Sequence, residues 1–224
     1  MQFIKHDNPK IGQDDLSRLI NNSLIRSKVL WLISGGSNIP IEVNILNNIN
    51  QRLINNLYIL LVDERYGLEG HQNSNYQQLL AAGFKINKIN FPNILEDSLP
   101  PLETLDRYLN IYNQFKEICD ITIGQFGLGN DGHIAGVLPN SPAVYSNEQA
   151  IFYESEPYKR LTLTLDSIKN INQAYVFCFG KDKEHALKRL YQGTDPLEIL
   201  PSIVLRKIPR VKVYNDLIEE EKWK

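Results

Sequence analysis

Cysteine is scarce: only Cys119 and Cys178 occur in 224 residues. Each lies in an apolar stretch, which argues for free thiols in a reducing compartment and against a disulfide framework or a cysteine-rich metal centre. Long apolar runs are missing too. No segment approaches the roughly 18 consecutive apolar residues that a membrane span needs, and Met1 to Asp7 lacks the basic start and apolar run of a secretory signal. Nor is there an excess of one charge. With 24 basic and 26 acidic residues the net charge is -2, which gives no global attraction to nucleic acid or an anionic membrane. The expectation is a cytoplasmic protein without nucleic-acid or membrane partners, in which any anion binding is local. Its 42% of apolar residues can fill a large core, and one domain over residues 1–224 is expected.

What is present is an alternation of short apolar runs with longer amphipathic ones. Val29 to Ile33, Leu57 to Val62, Ile121 to Ile123 and Ala174 to Phe179 are nearly continuous hydrophobic runs rich in β-branched and aromatic residues, as strands buried on both faces are. Helical spacing covers Gln13 to Ser27, Pro40 to Arg52, Asn75 to Ala82, Leu102 to Ile118 and Lys181 to Tyr191. The alternation predicts a Rossmann-like α/β fold, a mainly parallel sheet with helices on both faces. Arg160 to Leu165 alternates apolar and polar residues, like a strand exposed on one face. In an open α/β sheet ligands bind beyond the carboxyl ends of the strands, so the polar segments there are where a site is to be sought.

After the first strong strand comes Ser34-Gly35-Gly36-Ser37-Asn38, with Pro40 opening a helix. Paired glycines expose backbone N–H groups, the serines add hydroxyls and a helix N-terminus adds positive potential, a combination that suits a phosphate. It is neither a Walker loop nor a dinucleotide fingerprint. After the second comes Asp63-Glu64-Arg65. Three adjacent charges at the end of a buried strand need partners. Arg65 can offer a phosphate a bidentate fork and Asp63 can hold a sugar hydroxyl, or Glu64 and Arg65 form a surface pair. Asn75 and Tyr76 read equally as a helix start or as part of a site. The third strand leads into Gly127-Leu-Gly-Asn-Asp-Gly-His133, where an acid and an imidazole stand two residues apart among three glycines, a placement that acid–base chemistry can use. The last strand ends at Gly180, and Lys181 and Lys183 at the start of the following helix either invite an anion or, as is commoner for lysine, merely solvate the helix surface. His71 lies in a polar loop near this site as a candidate contact, whereas His185 reads as surface. No histidine or cysteine pair has metal-ligand spacing, and Ser34 and Ser37 lack a nucleophile elbow.

In this order, the segments resemble the 6-phosphogluconolactonase family, part of the wider group that includes glucosamine-6-phosphate deaminase. Ser34 to Pro40 is similar to S-G-G-S-T-P, Asp63 to Arg65 and Ser74 to Tyr76 to D-E-R and S-N-Y, Gly127 to Pro139 to G-M-G-x-D-G-H-T-A-S-L-F-P, Arg160 to Thr164 to R-I-T-L-T, and Gly180 to Leu187 to G-x-x-K-x-x-A-L. The resemblance implies hydrolysis of 6-phospho-D-glucono-1,5-lactone, in the oxidative pentose phosphate pathway, without cofactor or metal, by a monomer or weak homodimer. It implies that His133 is the general base and Asp131 its partner. Arg65, Lys183 and Ser34, Gly35, Gly36 and Ser37 would hold the 6-phosphate, and Asp63, Asn75 and Gly129 would make further substrate contacts.

Four residues at three places depart from the family pattern. Ile134 replaces a threonine and Gly136 a common serine, so a hydroxyl is expected to be missing from the pocket wall. Tyr66-Gly67 replaces V-P, which is expected to alter the loop beside Arg65. His133-Ile-Ala135 is also similar to the G-H-I-A of the deaminases, but those carry D-E-Y and a glutamate in G-H-I-A-F-N-E. Here Arg65 stands in place of the tyrosine and no acid follows His133. A non-catalytic sugar-phosphate sensor is the remaining alternative.

Overall fold

The computed structural model describes residues 1–85 and 90–219 of the chain. Its first half contains β1 (Gln2–Lys5), α1 (Lys10–Leu24), β2 (Val29–Ile33), α2 (Ile39–Asn47), β3 (Leu57–Leu61), β4 (Asp63–Tyr66), α3 (Asn75–Ala81) and α4 (Pro101–Ile118). The second contains β5 (Ile121–Gly127), α5 (Pro142–Tyr145), β6 (Ala150–Ser155), β7 (Tyr158–Leu163), α6 (Leu165–Ile168), β8 (Gln173–Cys178), α7 (Glu184–Gln192) and β9 (Val211–Asn215).

Six strands form a sheet in the order β1-β9-β8-β5-β2-β3, with every neighbouring pair parallel. Strand periodicity divides the core between its two faces. Val29, Trp31 and Ile33 point into a cluster with Leu16 and Ile20 of α1, Ile45 of α2 and Leu79 of α3. Leu30 and Leu32 join Tyr108 and Phe115 of α4 and Leu187 of α7 on the other face. All five β2 residues are therefore buried, which explains why that strand reads as an unbroken apolar run. Each Leu or Ile so buried contributes about 1.5–3 kcal/mol.

A second, antiparallel sheet of order β4-β7-β6 has no clear counterpart in the sequence reading. Only Val62 separates β4 from β3, so the charged Asp63-Glu64-Arg65 segment is itself a strand and not a loop beyond one. β7 corrects another expectation. Leu161, Thr162 and Leu163 are all buried, because β7 is the central strand of this sheet, and the alternation at Arg160 to Leu165 does not leave an exposed face along its whole length.

Helix boundaries moved where caps decide them. α1 starts at Lys10, after Pro9 with φ -62°, because proline suits a helix start. α2 stops at Asn47 rather than Arg52. Lys181 to Lys183 form a short 3₁₀ turn before α7. Cys178 is buried and Cys119 half-buried, and both are free. No helix among the described residues is long and apolar enough to cross a membrane.

Candidate active site

One cleft opens where β2, β3, β5 and β8 end. Its lining includes Ser34, Gly35, Gly36, Ser37, Asp63, Arg65, Asn75, Gly129, His133 and Lys183, which come from five separated segments of the sequence. Parallel strands account for the convergence: the segments that follow β2, β3, β5 and β8 at this sheet edge enter the same space. Arg160, which the sequence reading placed in a strand and in a family segment without giving it a role, lines it as well.

Oδ1 of Asp131 lies 2.6 Å from Nδ1 of His133 and 3.0 Å from its backbone nitrogen. A carboxylate accepts, so Nδ1–H donates and the neutral ring keeps its lone pair on Nε2. The imidazole lies so close to Gly129 that a Cβ there would stand 2.1 Å from Nδ1. Glycine at 129 is what allows the ring to fold back over its own loop. Partial burial works to raise the Asp131 pKa, but the hydrogen bonds and charge of His133 hold it below the ordinary carboxylate value. Asp131 itself does not line the cleft and reaches it through His133.

Three cations line the same cleft. Arg65 and Arg160 face each other in the β4–β7 register, and Lys183 Nζ donates to Ser37 Oγ at 3.3 Å. None of these three makes an ion pair among the described residues. Such a group of unpaired cations can receive a multiply charged anion. Asp63 is buried beside them. Burial raises its pKa, opposed by the nearby charges of Arg65, Arg160 and His133 and a hydrogen bond from Asn75.

Two buried glutamates hold the loops in place. Glu64 accepts from the backbone nitrogens of Arg65, Asn75 and Tyr76 at 2.7, 2.7 and 3.0 Å and from the Ser74 hydroxyl at 2.9 Å. It therefore organises the start of α3 and is not half of a surface pair with Arg65. Asn75 does both things the sequence left open: it begins α3, and its side chain donates to the Asp63 carbonyl at 3.0 Å from the cleft wall. Tyr76 is buried in the core. Glu42 accepts from the Ser34 N–H at 3.0 Å, and Ser34 Oγ accepts from Asn38 at 3.2 Å. The amide of Ser34 thus serves the loop itself, leaving Gly35 to Ser37 as the part of the cradle that faces outward. Glu42 follows Ile39 and precedes Ile45 and Leu46 by helical spacings on an apolar face, the one signal in the sequence that marks it as buried.

Other expectations change. His71 is not in the cleft; its Nε2 lies 2.8 Å from the Arg65 carbonyl oxygen, so it braces the loop after β4. Lys181 is exposed and lies outside the lining, and His185 is exposed as expected. Ile134 is fully buried in the core and Gly136 is absent from the cleft wall. A Cβ at Gly136 would stand 2.8 Å from Thr162 Cβ and 3.0 Å from Asp63 Cβ, so no hydroxyl has been lost from the wall at either position. Tyr66, beside Arg65, donates to the Leu99 carbonyl at 2.9 Å and packs edge-on against Phe152.

A family model described as glucosamine-6-phosphate isomerases/6-phosphogluconolactonase matches residues 13–212. The chain is 29% identical to a glucosamine-6-phosphate deaminase of Lactococcus lactis subsp. cremoris, over 92% of this chain and 91% of that protein. It is 24% identical to a 6-phosphogluconolactonase of Borreliella burgdorferi, over 100% and 99%. Among solved structures, a 6-phosphogluconolactonase from Thermotoga maritima aligns with a TM-score of 0.79 at 18% identity, over 95% of this chain and 97% of that one. The matched segments that build the cleft and a family match over most of its length lead to one assignment: the chain belongs to the glucosamine-6-phosphate isomerase/6-phosphogluconolactonase family.

Proposed function

We propose that the chain hydrolyses 6-phospho-D-glucono-1,5-lactone to 6-phospho-D-gluconate, as in the oxidative pentose phosphate pathway. The observation that carries this reading is the meeting, in one cleft, of an imidazole–carboxylate pair and three cations that make no ion pair among the described residues. Arg65, Arg160, Lys183 and the Gly35 to Ser37 loop hold the 6-phosphate. Asp63, Asn75 and Gly129 contact the sugar.

Water attacks the lactone carbonyl carbon while His133 Nε2 takes a proton from it. The tetrahedral intermediate then collapses, the bond from carbonyl carbon to ring oxygen breaks, and the imidazolium returns its proton to that oxygen. The remote phosphate anchors the ring so that water, base and carbon share one geometry, and such positioning can supply several kcal/mol. A strained, activated ester needs no further nucleophile. Asp131 keeps His133 in the tautomer with a basic Nε2 and stabilises the imidazolium.

The test uses freshly generated lactone, corrected for spontaneous hydrolysis, with wild type and His133→Ala. A rate above background that falls at least ~100-fold in the variant supports the assignment; equality of both with background supports a sugar-phosphate sensor. The 29% identity to a deaminase favours deamination of glucosamine 6-phosphate as the second reading. Against it stands Val137-Leu138-Pro139, which supplies no carboxylate after His133. Ammonia release without lactone hydrolysis would reverse the order.

A further inference from the structure

Arg65 and Arg160 are directly opposed residues of antiparallel neighbours β4 and β7. Like charges in that position destabilise a strand pair, and no carboxylate pairs with either one among the described residues. Arg65 has one hydrogen-bond acceptor for its guanidinium, the Asn73 carbonyl at 3.0 Å. Both Nε atoms are buried without a partner. Asp63 stands near enough to feel both charges but forms no ion pair with either arginine among the described residues, so a further group is needed to fix where the two guanidiniums stand.

Tyr158 is the group in position to do so. It lies two residues before Arg160 on β7, hence on the same face of the small sheet, and diagonally across from Arg65, within the reach of an aromatic side chain. The Cζ atoms of Arg65 and Arg160 stand 5.0 and 5.4 Å from the centre of its ring. One half-buried ring thus touches both cations while staying outside the cleft lining. We propose that Tyr158 is a positioning residue that sets the selectivity of this protein for phosphorylated over unphosphorylated sugar lactones, by holding the Arg65 and Arg160 guanidiniums as a preformed pair.

The physical basis is preorganisation. An arginine side chain is long and rich in rotamers, and two of them must be ordered to hold one phosphate. A shared π face orders both before the anion arrives, and it attracts each cation without neutralising it. A carboxylate in the same place would order them equally well but would compete with the phosphate for their charge. The phenol oxygen has no part in this, so the ring alone is sufficient.

The inference rests on the reading that Arg65 and Arg160 hold the phosphate, and the experiment separates the two. Wild type, Tyr158→Ala, Tyr158→Phe and Arg65→Ala are compared for kcat and KM with 6-phosphogluconolactone and with glucono-1,5-lactone, and for Kd with 6-phosphogluconate and gluconate by calorimetry. Tyr158→Ala is expected to raise KM for the phosphorylated lactone and Kd for 6-phosphogluconate about tenfold, with kcat within about twofold and no change toward the unphosphorylated compounds. Tyr158→Phe is expected to behave as wild type. If Arg65→Ala weakens 6-phosphogluconate binding but Tyr158→Ala does not, Tyr158 has no such role. Equal losses on both classes of compound would reduce it to a structural residue and overturn the proposal. If Arg65→Ala leaves binding unchanged, or wild type does not bind 6-phosphogluconate, the phosphate clamp itself is wrong and the inference goes with it.

Discussion

Asp131 Oδ1 receives two hydrogens from the same residue, the backbone N–H and the ring Nδ1–H of His133. Loop and imidazole are therefore fixed by one carboxylate oxygen. Asp131→Asn retains an oxygen that can accept but loses the charge that stabilises an imidazolium. Its kcat on the phosphorylated lactone should fall at least about tenfold, and His133→Ala at least about 100-fold. Both side chains are more than a third exposed, so the melting temperature should hardly move. Wild-type kcat in Asp131→Asn would remove the carboxylate from the chemistry.

The cations of the cleft, which make no ion pair among the described residues, lead to a second expectation. An anion that binds only the folded chain stabilises it by mass action, about 2.7 kcal/mol at a hundredfold excess over Kd. 6-Phosphogluconate should raise the melting temperature where gluconate does not, and Arg160→Ala should abolish most of the difference. Added salt should shrink it by screening. Equal shifts with gluconate would show that the phosphate is not what the cluster recognises.

Gly136→Ser tests whether a serine there can restore the family pattern. The new Cβ meets Thr162 Cβ at 2.8 Å and Asp63 Cβ at 3.0 Å, and the Gly136 N–H already donates to Thr162 Oγ1 at 3.1 Å. Overpacking of this kind costs about 1–3 kcal/mol, or roughly 2–4 °C of melting temperature per kcal/mol in a chain of this size. Denaturation and lactonase assays together decide it. An active variant of unchanged stability would mean that β7 can withdraw from the loop.

How much of this was legible follows from what each residue must satisfy. β2, β3, β5 and β8 were readable because strands covered on both faces leave continuous apolar runs, and their polar ends indicated the cleft. β4 was not, since Asp63, Glu64 and Arg65 look like a loop until the partners of Glu64 on α3 and the opposing β7 are known. Arg160 was hidden for the same reason: its neighbour Arg65 is 95 positions away in the chain and becomes adjacent only through register. Gly136 and Ile134 looked like losses from a pocket, although their neighbours are core atoms. Short-range chemistry showed in the motifs, whereas which side of the backbone a motif residue faces depended on packing.

Glu42 yields a prediction with a definite sign. It is fully buried; burial raises its pKa well above 4.5, the Ser34 hydrogen bonds oppose this, and the charge of Asp63 adds to the rise. Asp63 has Arg65, Arg160 and His133 close to it to oppose the rise in its own pKa, whereas no cation acts on Glu42 in this way. In the unfolded chain Glu42 ionises near its ordinary value. The folded state therefore binds the extra proton, and stability is fully present below pH 4.5 and declines as pH rises through the folded pKa. Glu42→Gln keeps an oxygen to accept the Ser34 N–H and removes the ionisation, and Oε2, which has no partner, becomes an equally unpartnered NH₂. Urea denaturation at pH 4.5, 6 and 8 should show wild type and variant nearly matched at the lowest pH. The variant should gain with each step upward, by about 1.4 kcal/mol for every unit of pKa elevation crossed. Parallel stability curves would mean that Glu42 is ionised in the fold and that the charge beneath the Ser34 loop belongs to the site's electrostatics.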